Sequence, residues 1–331
     1  MIIRKFNFDN NKWDKFCYKS DDCWFYHTSE FIEYVIEYSG KNTENFSFYI
    51  EDKNTDLLAI CPLIRNDNKF IFPGHTGPAP ALRNALSEKI KKSILRQIFN
   101  YIEQLAKEYN IEECIMGLSP LAKNNSSPFN YNFLMKYGFE NISLNTQILL
   151  LDKNKDLIWN EIKKSHRNEI KSGKKLFKFI KDEPYSKDTK YFFEFKKLHF
   201  LAAGRMTRSE KTWDLQRQWK EKGNAIIILA YMDDKPVGGI FTMLYKDCAY
   251  YGVSANHPDY EKYSISHSIQ WEIIKWLQKN RFKCYELGLQ LFSDQPYSHP
   301  SQKEIDISLF KRHFGGYTVS YYMGKKVFLK K

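Results

Sequence analysis

The sequence of 331 residues predicts an α/β protein built from two tandem units of one pattern, and three observations carry that expectation. Residues 135–140 (MKYGFE) and 311–317 (KRHFGGY) each end a short amphipathic helix and open a strand. Upstream of them, residues 103–119 (EQLAKEYNIEECIMGLS) and 274–290 (IKWLQKNRFKCYELGLQ) both read as a helix end, a short linker and a buried strand closing on Gly-Leu. Further upstream lie two hairpin patterns, residues 46–72 turning at 52–54 and 66–68, and residues 225–253 turning at 233–234 and 246–247. In both, Asp, Asn and Lys supply turn chemistry between apolar runs. Each half is thus three strands, a long helix, a strand, a short helix and a last strand.

The elements follow in order. Thr28 or Ser29 can cap a helix that runs through Tyr38, with Phe31, Val35 and Ile36 on one face and Gly40 as its stop. Residues 73–80 (PGHTGPAP) separate a strand from a long helix over 87–109. They are either a plain turn, since Pro78 and Pro80 donate no backbone hydrogen bond, or a ligand loop that Gly74 and Gly77 let a ligand approach. Residues 124–128 are a loop, and the apolar strand 145–151 closes the first half, which places the domain boundary near Asp152 and the domains at 1–152 and 153–331. Beyond it come a helix over 157–171 with Lys163, Lys164, Arg167 and Lys171 on one face, then helices over 191–203 and 209–222 separated by residues 204–208 (GRMTR).

Charge and composition narrow the class. A length of 331 residues accommodates two ordinary cores. No apolar run approaches the roughly 18 residues of a membrane span, and no apolar signal-peptide core stands at the N-terminus, so a cytoplasmic protein without a transmembrane segment is expected. Cys17, Cys23, Cys61, Cys114, Cys248 and Cys284 form no C-x-x-C pair and no zinc spacing with His, and are expected to be reduced, buried and free of metal. Net charge is +12, and the basic tract 163–197 falls at the junction of the halves. Such a tract is either a solvated face or a surface for a polyanion such as tRNA, a nucleotide sugar or an anionic membrane. There is no G-x-S-x-G, Walker A loop, H-E-x-x-H or G-x-G-x-x-G, which weighs against the common hydrolases and nucleotide enzymes.

Residues 159–173 (WNEIKKSHRNEIKSG), 199–213 (HFLAAGRMTRSEKTW), the strand pair within 237–255 and the ending LFKRHFGGY together resemble the Fem-like (FemAB/FemX) proteins, the peptidoglycan-bridge aminoacyltransferases and their relatives. The resemblance covers nearly the whole chain, is strongest from Trp159 onward, and implies two tandem GNAT-like acyltransferase domains with mixed sheets flanked by helices. It implies an acyl donor, aminoacyl-tRNA or acyl-CoA, used as co-substrate with no tightly bound cofactor, and an acceptor amine on a cell-wall precursor, nucleotide sugar or surface glycan. It also implies that Lys311, in the helix before the final Phe-Gly turn, stabilises the oxyanion of the transfer. The long helical insertion of some members is missing, which leaves the donor open.

The residues add their own constraints. Acetyl-CoA enzymes of this type hold pyrophosphate on glycine-rich amides at a helix N-terminus. Here the corresponding turn, residues 256–266, has no glycine and two acids. Acyl transfer to nitrogen needs a neutral amine, an activated carbonyl and a cation or donor where the oxyanion grows. Lys311 is either that cation or a solvated lysine, and Arg312 points to another face. Tyr250 and Tyr251 alternate across a central strand, so one faces the core and the other is free to meet substrate; Tyr251 is expected at the reacting centre with Lys311 and Glu286, and Tyr250 as a substrate-binding residue. Glu286, an acid in a strand suited to burial, is either a site acid or base or half of an ion pair. His199 is either a general base or a core histidine. Arg205 and Arg208 bind an anionic group or join the domains by salt bridges; Arg167 binds the acceptor or caps its helix; His267 is a buried helix residue or part of the site. A different expectation from the same tract is a non-catalytic RNA- or membrane-binding module.

Overall fold

The computed structural model describes residues 1–7, 10–126, 131–295 and 299–328 and divides into unit 1, Met1–Leu144 with Ser320–Lys331, and unit 2, Asn145–Val319. Unit 1 begins with β1 (Ile2–Lys5), α1 (Asn10–Lys19), α2 (Ser29–Ser39), β2 (Thr43–Asn45), β3 (Phe48–Glu51) and β4 (Leu57–Cys61). It continues through β5 (Ile64–Asn66), β6 (Lys69–Phe70), β7 (Ala81–Leu82), α3 (Glu88–Glu108), β8 (Glu113–Gly117) and β9 (Glu140–Asn141). Unit 2 opens with β10 (Leu144–Leu150), α4 (Lys155–Glu161), α5 (Lys164–Leu176), β11 (Lys178–Asp182), α6 (Lys190–Ala203) and α7 (Glu210–Glu221). Then come β12 (Ala225–Met232), β13 (Lys235–Tyr245), β14 (Cys248–Asn256), α8 (Ile265–Lys279), β15 (Cys284–Gln290), α9 (Gln302–Arg312) and β16 (Tyr317–Tyr321). The last strand, β17 (Met323–Val327), belongs to unit 1.

Local chemistry sets these bounds. The Thr28 hydroxyl accepts from the Phe31 amide, and Gly40 ends α2 at φ +73°. Ser87 caps α3 in the same way through the Ile90 amide. The two expected hairpin sets are present as β3–β4 with β5–β6, and as β12–β13–β14. Four strands in the order β1-β3-β4-β7 and six in the order β2-β5-β6-β8-β17-β9 form the sheets of unit 1. Unit 2 has one seven-stranded sheet, β11-β12-β13-β14-β15-β10-β16. Ile94, Ile98 and Ile102 of α3 fill the core of unit 1, while Ile269, Ile273 and Leu277 of α8 pack with Ile226, Ile228 and Ile240 in unit 2.

Four differences from the sequence-based expectations have physical causes. The strand expected to close the first half, β10, pairs with β15 of unit 2, and the C-terminal β17 pairs with β8 and β9 of unit 1. The contact boundary therefore lies at Leu144, not near Asp152, and the chain enters unit 1 twice. The first half has a short 3-10 helix, Phe133–Tyr137, where the second has α9. The single basic helix over 157–171 is two helices, because the chain is extended at Ile162 and Lys163. Finally, Cys248 and Cys284 are not free thiols: parallel pairing sets them opposite each other with Cα atoms 4.8 Å apart, and they form a disulfide. Cys17, Cys23, Cys61 and Cys114 are free and buried. Among the described residues no helix is long and apolar enough to cross a membrane, and no group of His, Cys, Asp and Glu could hold a metal ion.

Candidate active site in the second unit

Where β14 and β15 run parallel they pair over three positions only, Cys248 with Cys284, Ala249 with Tyr285 and Tyr250 with Glu286. Both strands continue past that point, and bulges part them. On β14 the register against β13 slips between Phe241 and Thr242, which leaves Gly252 as the extra residue. On β15 the register against β10 slips between Gln147 and Ile148, which leaves Leu287 extra. A bulge bends its strand and increases its twist, so two of them beside one parallel pair open the sheet at Tyr250 and Glu286. Gly288, just past the second bulge, sits at φ +91°. A side chain there would be strained by the backbone.

Side chains converge on this opening. A Cβ added to Gly288 would lie 3.1 Å from Lys311 Nζ and 3.7 Å from the Tyr250 hydroxyl, so the absence of that carbon leaves room for both. The ammonium of Lys311 also reaches the Leu289 carbonyl oxygen at 3.4 Å. Glu286 is 2% exposed and accepts a 2.7 Å hydrogen bond from the Thr146 hydroxyl of β10. Burial pushes its carboxyl up to about 7, against the opposing pull of the Thr146 hydrogen bond and the Lys311 charge. Burial likewise pushes the Lys311 ammonium down, and the Glu286 charge opposes that shift. Burial thus draws the two groups' proton affinities toward each other, and the Tyr250 phenol lies beside the ammonium.

The structure groups Lys311, Glu286 and Tyr250, and sends the other sequence candidates elsewhere. Tyr251 lies on the opposite face of β14, where its hydroxyl donates to Ser254 at 2.6 Å, so Tyr250 takes the place expected for Tyr251. Arg312 donates to Gln290 Oε1 at 2.9 Å and stacks over Phe292 at 4.6 Å. It braces α9 against the end of β15. Arg167 is a cap: Nη1 donates to the carbonyl oxygens of Asn160 at 3.0 Å and Ile162 at 2.7 Å, where α4 has left them unpaired. His267 packs edge-on against His166 at 4.3 Å and against Phe310 at 5.0 Å, within the packing of α5, α8 and α9. His199, Arg205 and Arg208 meet at the α6–α7 corner, where Arg208 Nη1 lies 3.1 Å from His199 Nε2 and burial pushes the imidazole down to about 4.

At the N-terminus of α8 the 256–266 turn meets the Glu169 carboxylate of α5. Neither Ser264 nor Ser266 caps the helix as a serine would be expected to. Ser264 donates to the Glu169 carboxylate of α5, and the Ser266 hydroxyl accepts from Asn256 Nδ2 at 2.8 Å. A carboxylate beside a helix N-terminus satisfies its positive end and repels phosphate.

Sequence patterns did not single out Thr146 or a cavity of about 1060 Å³ within unit 1, and they marked Gly288 only as part of the Gly-Leu that closes a strand. That cavity is lined in part by Asp22, His27, Arg83, Lys92, Arg96 and Tyr131. Asp22 accepts from the Leu82 amide at 2.9 Å and from Asn124 Nδ2 at 2.6 Å, and burial raises its carboxyl. Arg83, Lys92 and Arg96 form no ion pair among the described residues. The only sequence signal for the cavity is the spacing of Lys92 and Arg96 on one face of α3.

Comparison with known proteins places this geometry in a fold. Residues 201–298 match the acetyltransferase (GNAT) domain family. No curated protein matches the sequence. The structure described as "Crystal structure of FemX" superposes with a TM-score of 0.69 at 11% identity, covering 99% of this chain and 98% of that one. L-PGS from Bacillus licheniformis aligns with a TM-score of 0.59 at 11% identity, over 96% of this chain and 91% of that chain. A tandem GNAT protein from the clavulanic acid biosynthesis pathway aligns at 0.55 and 9% identity over 100% of both chains. The fold is therefore a tandem pair of GNAT-like domains, as the sequence resemblance implies and the repeated pattern of two units agrees with.

Proposed function

On this tandem GNAT-type acyltransferase fold, we propose that the protein is an N-acyltransferase that moves an aminoacyl or other acyl group from an activated donor to an amine. The acceptor is an amino sugar, a nucleotide sugar, a peptidoglycan precursor or a surface glycan. The observation that carries this proposal is the convergence of Lys311, Tyr250 and Glu286 where β14 and β15 part. Carbonyl carbon is attacked by a neutral amine, the carbonyl oxygen gains charge, and the Lys311 ammonium is the group that stabilises it. Glu286, titrating near neutrality, takes the proton that the amine loses as the C–N bond forms. Collapse of the tetrahedral intermediate breaks the bond to the donor's oxygen or sulfur, and that leaving group takes up the proton that Glu286 accepted, which returns the carboxylate to its starting state. The Tyr250 hydroxyl orients the acceptor. No covalent enzyme intermediate and no metal enter these steps.

The Glu169 carboxylate beside the N-terminus of α8 supports aminoacyl-tRNA over acyl-CoA as the donor, because its charge repels a pyrophosphate brought to that helix end. The cations without carboxylate partners in the unit 1 cavity, Lys92 and Arg96, suit an anionic acceptor such as a nucleotide sugar. The test incubates the purified protein with labelled aminoacyl-tRNAs or acyl-CoAs and a panel of amino-sugar nucleotides and peptidoglycan precursors. Transfer from aminoacyl-tRNA to one acceptor amine is the expected result. Labelled product from acetyl-CoA alone would reverse the donor assignment, and salt-sensitive RNA binding without transfer from any donor would replace the enzyme by a binding module.

A further inference from the structure

Helix α6 is apolar on two faces, and only one of them is covered. Phe192, Phe195 and Leu198 point into unit 2 and are buried. The opposite stripe, at i, i+4 and i+7 spacing, is Phe193, Lys197 and Phe200. Phe193 is 46% exposed, Phe200 49%, Leu201 47% and Met206 64%. From Phe200 to Met206 every residue is exposed, so the end of α6 and the turn beyond it project from the surface. Beneath them the α6–α7 corner holds a cavity of about 460 Å³ walled by Phe193, Phe200, Leu201, Met206 and Trp213.

The cations at this corner are placed around the apolar tip. Lys197 and Arg205 are exposed and form no ion pair among the described residues. Arg208 sits over the Trp213 ring at 5.0 Å. The nearby acids are engaged, Glu210 with Lys196 and Glu194 with the Tyr231 hydroxyl. An apolar projection ringed by cations complements a layer that is negative outside and hydrocarbon within. A protein partner fits less well. Taking ~200 Å² for each large side chain, the four exposed portions offer on the order of 400 Å², about half of what each side of a stable protein interface needs.

We propose that the α6–α7 corner docks on an anionic phospholipid bilayer, with Phe200, Leu201 and Met206 inserted below the headgroups and Lys197 and Arg205 held at the phosphates. The cavity would receive the end of an acyl chain. Docking does not depend on the acyl-transfer chemistry, so its test needs no substrate and its failure would leave the proposed function standing.

The experiment is co-sedimentation of the full-length protein with vesicles of phosphatidylglycerol and phosphatidylcholine, against vesicles of phosphatidylcholine alone. Binding is expected to the anionic vesicles and to weaken as salt rises. Phe200→Ser with Leu201→Ser is expected to weaken it by tenfold or more through lost insertion, and Lys197→Glu with Arg205→Glu by roughly tenfold with a shallower salt dependence. All four positions are exposed, so these substitutions leave the cores untouched. In the Met206→Trp variant, anionic vesicles should shift the tryptophan emission to the blue. Three results would overturn the proposal: no binding of the parent protein at low salt, equal binding by the Phe200 and Leu201 double variant, or self-association in light scattering that the same double variant abolishes.

Discussion

Glu286 links the chemistry of the site to the stability of the protein. Its carboxyl rises from an ordinary 4.5 to about 7 because it is buried, so between those values the folded chain holds a proton that the unfolded chain has lost. Stability therefore falls as pH rises through that window and is not lowered by this group below it. Glu286→Gln removes the ionisation. It should leave stability at pH 4 nearly unchanged and raise it at pH 8 by roughly 2–3 kcal/mol, as read from urea unfolding at the two pH values. The same variant should lose most of its turnover, because the proton acceptor is gone. Lys311→Ala should lower turnover by roughly 10²–10³-fold with an unchanged melting temperature, measured in the transfer assay and by circular dichroism. Near-normal turnover would remove Lys311 from the mechanism. At this scale the sequence made Glu286 and Lys311 legible, the first as an acid in an apolar strand and the second through its place before the final turn. It put Tyr251 rather than Tyr250 beside the lysine, because alternation along a strand says that the two part without saying which face meets the lysine.

Elements position these residues through a few buried polar links. Lys220 of α7 is fully buried and donates to both Asp182 oxygens at 3.0 Å and to the Asp188 carbonyl at 2.6 Å, tying α7 to β11. Asp182→Asn would leave a buried ammonium without its counter-charge and should cost about 3–5 kcal/mol in denaturant melts. Replacing both by apolar residues of similar volume should recover much of that loss, and equal damage from the double variant would show that packing, not charge, is what α7 needs. Arg167→Met should cost about 1 kcal/mol by reopening the end of α4, with little effect on turnover. A large fall in turnover at unchanged stability would return Arg167 to the site. Capping residues such as Thr28, Ser87 and Gly40 can be read from sequence because they act within one turn. The break between α4 and α5 cannot, since it depends on a guanidinium folding back over several residues.

The whole molecule is organised by two strands that leave the half in which sequence order places them. Because β10 lies between β15 and β16, a fragment beginning at residue 153 lacks the strand next to the edge of its sheet and exposes the facing sides of β15 and β16. Such a 153–331 fragment is expected to aggregate, whereas 145–319 is expected to remain soluble and to melt cooperatively, a comparison made by expression and circular dichroism. The reverse outcome would show that β10 is dispensable.

Local order in the sequence determined the class of this protein: the turn residues, the helix caps and the twice-repeated run of strands, helix and strand all act over a few residues, and each has its counterpart in the structure. The tertiary structure alone decided which sheet receives β10 and β17, which cysteines meet, and which tyrosine joins Lys311 and Glu286. Those outcomes depend on strand pairings between distant parts of the chain, 36 residues apart for the cysteines and more than a hundred for β10 and β17, and on two bulges that part a parallel strand pair. Backbone hydrogen bonding is blind to side-chain identity at that range, so no local pattern records them.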